Sequence, residues 1–155
     1  MQEDKFEYVG FWPRVGASLI DSLLLLVVTC PLLVAIYGWS YYLGSPAGLR
    51  GTADFLLSWV LPAAAVVAFW FWKQATPGKM AISARIVDAA TGKAPSSGQM
   101  VLRYLGYFVS TIPLCLGFFW IAFDRRKQGW HDKLARTVVV RPAHRGPDAV
   151  RFEQA

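Results

Sequence analysis

The residues best suited to chemistry lie inside or beside apolar segments of the chain. Arg14 opens the run that continues to Trp39, and Asp21 lies well inside that run. Seven residues bring an α-helix nearly back to the same face, so Arg14, Ser18 and Asp21 are predicted to form a polar stripe on an otherwise apolar helix. A carboxylate in hydrocarbon is costly unless a cation, a helix end or water faces it. We therefore expect Asp21 to face the protein interior, in a structural ion pair or in an ion or substrate pathway.

A second polar group follows the last apolar segment. It contains Asp124, His131 and Asp132, set among basic residues. An imidazole titrates near neutral pH, so His131 and Asp132 together could relay protons. The alternative is that these side chains pair with neighbouring Lys and Arg at the surface. With the stripe on the first helix, they form the candidate polar network.

Basic side chains next to the apolar segments are candidates for contact with anionic lipid headgroups. They are Lys79, Arg125, Arg126 and Lys127. Such juxtamembrane basic residues are attracted to anionic lipid. Lys79 ends the sequence Thr76-Pro77-Gly78-Lys79, which lacks the upstream Gly and the following Ser or Thr of a phosphate loop and instead predicts a tight turn.

The rest of the sequence contains no pattern for a metal, a cofactor or catalysis. Cys30 and Cys115 lie in apolar runs, and neither has a second Cys or a His at ligand spacing, which indicates packing residues. We therefore expect no metal site, no cofactor, no enzymatic activity and no nucleic-acid partner.

Composition places these residues in a membrane protein. The chain has 155 residues, 55% of them hydrophobic, and a mean hydropathy of +0.36. Apolar segments over Val15–Trp39 and Phe55–Trp72 are long enough to cross a bilayer, which takes about 20 residues. A third apolar segment, Met100–Phe123, contains Pro113. The prediction is an all-α polytopic membrane protein with two clear transmembrane helices and a third, interrupted segment.

The distribution of Lys and Arg constrains how the third segment lies. The middle connection and the tail are both rich in basic residues, which predicts that both are cytoplasmic, together with the N-terminus. Three full crossings would leave the basic tail outside. We expect the third segment to enter and return as two short halves broken near Pro113. A simple third crossing and a helix lying at the interface are the alternatives.

Between the second and third apolar segments the pattern changes. Residues Met80–Val87 alternate in part between apolar and polar side chains and are followed by turn residues, which predicts a short strand or β-hairpin, or a segment lying on the surface. Residues 1–141 are interpreted as one membrane domain, and residues 142–155 as a polar, flexible tail.

The ordered motifs resemble those of the RDD family of bacterial membrane proteins, which is named for one arginine and two aspartates. The matching stretches are Phe11–Asp21, Thr76–Lys79, Ile86–Asp88, Arg103, Gly129–Asp132 and Thr137–Val140. By this resemblance Arg14 is the family arginine and Asp21 the first aspartate, while Asp132 is favoured over Asp124 as the second.

The resemblance implies a multi-pass protein of the bacterial inner membrane, for which transport of unknown ligands has been proposed. Two hypotheses follow. In the first, Asp21 serves a cation/proton or small-solute transport component. In the second, the chain is a non-transporting scaffold or accessory subunit in which Arg14, Asp21 and Asp132 form a structural network. The expected partners are the bilayer with its anionic lipids and further copies or other membrane subunits.

Overall fold

The structure is a computed structural model, and it describes residues 6–44 and 51–143. Helices make up most of it, and three short strands form one sheet. The elements in chain order are β1 (Phe6–Tyr8), α1 (Phe11–Tyr37), α2 (Ser40–Leu43), α3 (Thr52–Phe55), a π-helical turn (Leu56–Val60), α4 (Leu61–Lys73), α5 (Pro77–Ala81), β2 (Arg85–Asp88), α6 (Ser97–Thr111), α7 (Leu116–Phe123), α8 (Trp130–Leu134) and β3 (Thr137–Pro142).

Two helical segments are long and apolar enough to span a membrane, as predicted. The first is α1, with 27 residues, and the second is the 22-residue segment Thr52–Lys73, in which α3, the π-helical turn and α4 are continuous. In the most apolar window of each segment only 6% of the residues are buried inside the chain. The two helices therefore present their apolar side chains outward, as contact with lipid requires.

The third apolar segment is broken, which confirms the prediction. Helices α6 and α7 meet at an angle of 101°. The break contains Pro113, and it is followed by Leu114 and Cys115, whose φ angles are 51° and 62°. A Cβ on Gly117 would lie 2.6 Å from Cα of Ser110, so only glycine lets the two halves approach this closely.

The three strands form an antiparallel sheet in the order β1-β3-β2. Tyr8 of β1 lies opposite Val140, and Val87 of β2 lies opposite Val138. The strand expected in the middle connection is therefore present, but it does not close a local hairpin. Its partner is the apolar strand β3, because Pro77–Ala81 before it forms a helix instead of a second strand. The predicted C-terminal tail lies outside the described residues from residue 144 onward.

One face of the sheet packs against the helices and forms the core. The buried residues of this cluster are Val9, Trp70, Ala84, Ile86, Met100 and Val139. They come from segments next to both spans and from the broken third segment. The core therefore fixes the ends of the membrane helices relative to the sheet.

Candidate functional site

The carboxylate of Asp132 is the centre of a buried ionic cluster. Asp132 lies in α8 and is fully buried. Its Oδ2 accepts hydrogen bonds from Nη1 of Arg14 at 2.5 Å and from the backbone N–H of Gly129 at 3.1 Å. Its Oδ1 forms an ion pair with Nη1 of Arg103. Two guanidinium groups from distant parts of the chain therefore share one carboxylate.

Arg14 connects three segments through one side chain. It lies in the first turn of α1 and is 7% exposed. Besides Asp132, its Nε donates to the carbonyl of Val9 at 2.9 Å, and its Nη2 donates to the carbonyl of Lys127 at 2.6 Å. Arg14 is therefore held inside the protein and does not reach toward the lipid headgroups.

Arg103 is the member of the cluster that the sequence analysis left out of the predicted network. It lies in α6 and is fully buried, and its Nη1 donates to Oγ1 of Thr137 at 2.7 Å. The centre of its guanidinium group lies 5.5 Å from the centroid of the Trp70 ring, which suits a cation–π contact. A charged residue within an apolar helix was the available signal, and it is the same signal that identified Asp21.

Charge and burial determine the protonation of the α8 residues. Burial alone would raise the pKa of Asp132, but the positive charges of Arg103 and Arg14 outweigh it and hold the pKa far below the usual range. Burial lowers the pKa of His131 to about 3. At neutral pH Asp132 is therefore ionised and His131 is neutral. Neither group titrates near pH 7, as a proton relay would require.

His131 makes close contacts with α6. Its Nδ1 lies 3.2 Å from Oγ of Ser110, and its ring stacks on that of Tyr107 with 4.5 Å between centroids. A Cβ on Gly106 would lie 2.8 Å from Cα of His131, so the glycine permits this approach. The order Ser110, His131, Asp132 is that of a nucleophile, a base and a carboxylate. Ser110 is fully buried, however, so this arrangement offers no access to a substrate.

Asp21 has different partners from Arg14. Its carboxylate accepts a hydrogen bond from Oγ1 of Thr76 at 2.5 Å and one from the backbone N–H of Gly78 at 2.6 Å. A Cβ on Gly78 would lie only 1.9 Å from the carbonyl oxygen of Ala17. The Thr-Pro-Gly-Lys sequence therefore begins a short helix, α5, that docks closely on α1 through Asp21. The predicted stripe does not act as one unit.

The remaining predicted residues lie in three different surroundings. Ser18 is exposed on α1. Oδ1 of Asp124 forms an ion pair with Nζ of Lys133 at 2.5 Å, and its Oδ2 accepts hydrogen bonds from the backbone N–H groups of Arg126 and Gln128. Asp124 therefore organises the turn after α7 and does not join the cluster around Asp132.

The predicted headgroup contacts also divide. Lys79 is only 8% exposed, which does not fit the expected position at the headgroups. Arg125 is exposed, while Arg126 and Lys127 are half-buried. Nζ of Lys127 donates to the carbonyl of Ala122 at 3.3 Å, at the end of α7. Within the described ranges, no group of three or more His, Cys, Asp or Glu side chains is placed to hold a metal ion.

These features define a small multi-helix membrane protein with a buried Arg–Asp–Arg cluster beside a three-stranded sheet. The chain belongs to the RDD family, whose pattern matches residues 8–136. The resemblance drawn from the sequence motifs is thereby confirmed.

Several proteins are similar to parts of the chain. An uncharacterized protein of Rickettsia prowazekii (strain Madrid E) is 40% identical over 75 residues, which cover 48% of this chain and 41% of that protein. A protein named proline-rich antigen, from Mycobacterium leprae (strain TN), is 28% identical over 104 residues, covering 64% of this chain and 41% of its own length. An uncharacterized Bacillus subtilis (strain 168) protein, YxaI, is 39% identical over 67 residues, or 43% of each chain. The chain thus spans less than half the length of these relatives, and no solved structure matches it.

Proposed function

We propose that the chain is a membrane scaffold or accessory module, in which the Arg14–Asp132–Arg103 cluster joins the membrane helices to the sheet. The observation that carries this proposal is the full burial of Asp132 between two arginines that come from α1 and α6. Of the two candidates for the second family aspartate, Asp132 is the one favoured by geometry, because it contacts Arg14 directly.

The energetics of the cluster support a structural role. Removing one partner of a buried ion pair leaves an uncompensated charge and costs about 3–5 kcal/mol. Each arginine also binds a backbone or side-chain group in another segment, namely Val9, Lys127 or Thr137. The cluster therefore specifies how segments far apart in sequence are arranged.

The test is the substitution Asp132→Asn, which keeps the shape of the side chain and removes its charge. We expect it to lower the free energy of unfolding by about 3–5 kcal/mol, measured by thermal and denaturant unfolding of the purified protein. Asp124→Asn is the matched control, because that carboxylate pairs with the partly exposed Lys133. A pair of that kind contributes about 0–1 kcal/mol. Equal effects of the two substitutions would contradict the proposal.

A second candidate function is supported by the surroundings of Asp21. Asp21 lies at a cavity of about 220 Å³ between α1 and α4, otherwise lined mainly by apolar side chains such as Leu24, Val28 and Ala65. A carboxylate beside an intramembrane cavity suits a cation/proton or small-solute transport component. Because both spans expose most of their apolar surface, we propose that such a pathway requires further copies or other subunits.

Vesicle experiments distinguish the two candidates. If Asp21 serves transport, Asp21→Asn should abolish proton-coupled cation flux while the protein still inserts and keeps its thermal stability. If wild-type vesicles conduct no more than empty ones, the transport candidate fails and the scaffold proposal is unaffected. No catalytic activity is part of either candidate.

We also propose that the N-terminus, the middle connection and the tail all face the cytoplasm at a bacterial plasma membrane. The sheet supports this arrangement, because β1 precedes the first span, β2 follows the second and β3 follows the broken segment. With two crossings, all three strands lie on one side only if α6 and α7 enter and return. The basic residues of these segments favour the cytoplasmic side.

A further inference from the structure

A groove outside the buried cluster is rich in basic side chains. Its volume is about 360 Å³. It lies between the turn after β2, the turn after α7, and the region of α8 and β3. The residues that line it are Ala89, Ala90, Arg126, Gln128, Lys133 and Arg136.

The charges of the groove are unbalanced. Three cations line it, and Asp124, which contacts Nζ of Lys133 at 2.5 Å, is the carboxylate beside them. The formal charge of this set is therefore +2. Arg136 is exposed, and the side chain of Lys133 is 43% exposed, so both can reach a ligand in the groove. Nη2 of Arg126 lies 3.5 Å from the carbonyl of Ala89, which holds it across the opening.

The groove also lies next to the end of the apolar segment. Nζ of Lys133 is 5.4 Å from the centroid of the Trp120 ring, and Trp120 is half-exposed on α7. Trp residues are typical of the membrane–water interface, where lipid headgroups lie. A ligand in this groove therefore lies where either a lipid headgroup or a small solute could enter.

We infer that this groove binds a phosphate monoester group. Guanidinium and ammonium groups are the side chains that bind phosphate oxygens best, through short, charge-assisted hydrogen bonds. A phosphate monoester carries close to two negative charges at neutral pH, which matches the charge of the groove. The two sources of such a group are a lipid with a phosphate monoester headgroup, such as phosphatidate, and a soluble phosphate monoester. This inference does not depend on the function proposed for the buried cluster.

The test measures binding of both sources to the full-length protein in neutral detergent or in phosphatidylcholine nanodiscs. Retained phosphatidate is counted by native mass spectrometry, and glycerol 3-phosphate is titrated while thermal stability is followed at constant ionic strength. The groove variant is Lys133→Gln with Arg136→Gln. The control is Lys73→Gln with Lys93→Gln, which removes the same charge, in part beside another interfacial aromatic residue, since Lys73 lies 4.7 Å from the Trp72 ring.

We expect the groove variant to bind about tenfold more weakly, because it loses two charge-assisted contacts, while the control keeps wild-type affinity. Phosphatidate binding alone would identify a lipid as the source, and glycerol 3-phosphate binding would identify a soluble ligand. Equal loss in the two double variants, or no loss in the groove variant, would overturn the inference. If the groove variant does not fold, Arg136→Gln alone is used, because that side chain is exposed, and the same two outcomes apply.

Discussion

At the scale of single residues, the chemistry of the site depends on burial. Asp132 keeps its charge in a buried position because Arg14 and Arg103 both contact it. His131 lies next to it in sequence, and its ring nitrogen Nε2 is 3.5 Å from Oδ2 of Asp132. Burial still holds His131 neutral. The two groups thus respond to acid in the same direction but over different pH ranges.

The pKa of His131 predicts how stability depends on pH. The pKa is about 3 in the folded protein and about 6.5 in an unfolded chain. Because the unfolded state binds the proton more readily, stability falls as the pH drops below about 6.5. Between pH 7 and pH 5 we expect a loss of about 2 kcal/mol, measured by denaturant unfolding.

His131→Gln should remove this dependence, since glutamine does not titrate. The control is His144→Gln, at the only other histidine in the sequence, which should keep the wild-type pH profile. Asp132 contributes little in this range, because its unfolded pKa is near 4 and its folded pKa is lower still. An unchanged profile in His131→Gln would show that other groups cause the acid sensitivity.

At the scale of elements, glycines determine which helices can touch. Gly78 lets α5 approach α1, Gly106 lets α8 approach α6, and Gly117 lets α7 approach α6. In each case a Cβ would lie less than 3 Å from atoms of the neighbouring element. The hydrogen bonds of Asp21 and the stacking of His131 depend on these approaches, so the glycines position both polar sites.

Gly78→Ala tests this at the contact between α1 and α5. The added Cβ would lie 1.9 Å from the carbonyl oxygen of Ala17 and 2.9 Å from Cγ of Asp21, so α5 must move away. We expect a loss of about 1–3 kcal/mol in the free energy of unfolding, typical of overpacking. Gly98→Ala is the control, because the nearest atom to its Cβ is 4.0 Å away; alanine should be neutral or slightly stabilising there. Equal stability of the two variants would argue against close docking of α5.

At the scale of the whole molecule, the sheet constrains the topology. Strands from before the first span, after the second span and after the broken segment are paired in a single sheet. The bend of 101° between α6 and α7 is compatible with a segment that enters and returns. The position of the tail therefore follows from strand pairing as well as from charge.

Cysteine labelling tests this topology. In a background with Cys30 and Cys115 replaced by serine, single cysteines at Lys93 and Arg136 should both react with a membrane-impermeant thiol reagent from the same, cytoplasmic side. A cysteine at Trp39, beyond the end of α1, should react from the opposite side. Labelling of the Lys93 and Arg136 positions from opposite sides would indicate that the broken segment crosses completely.

The sequence by itself determined the membrane class, both spans, the break near Pro113 and the family. These properties depend on apolar run length and ordered local motifs, which are visible without the fold. It also identified Arg14, Asp21 and Asp132 as residues that need partners, because isolated charges in apolar segments are costly.

Only the tertiary structure decided which partners these residues have. The helical repeat suggested that Arg14 and Asp21 act together, yet Arg14 binds Asp132 and Asp21 binds the start of α5. The pairing of β2 with β3 and the role of Arg103 were equally out of reach. Such contacts join segments far apart in sequence, and spacing along one helix carries no information about which distant segment packs against it.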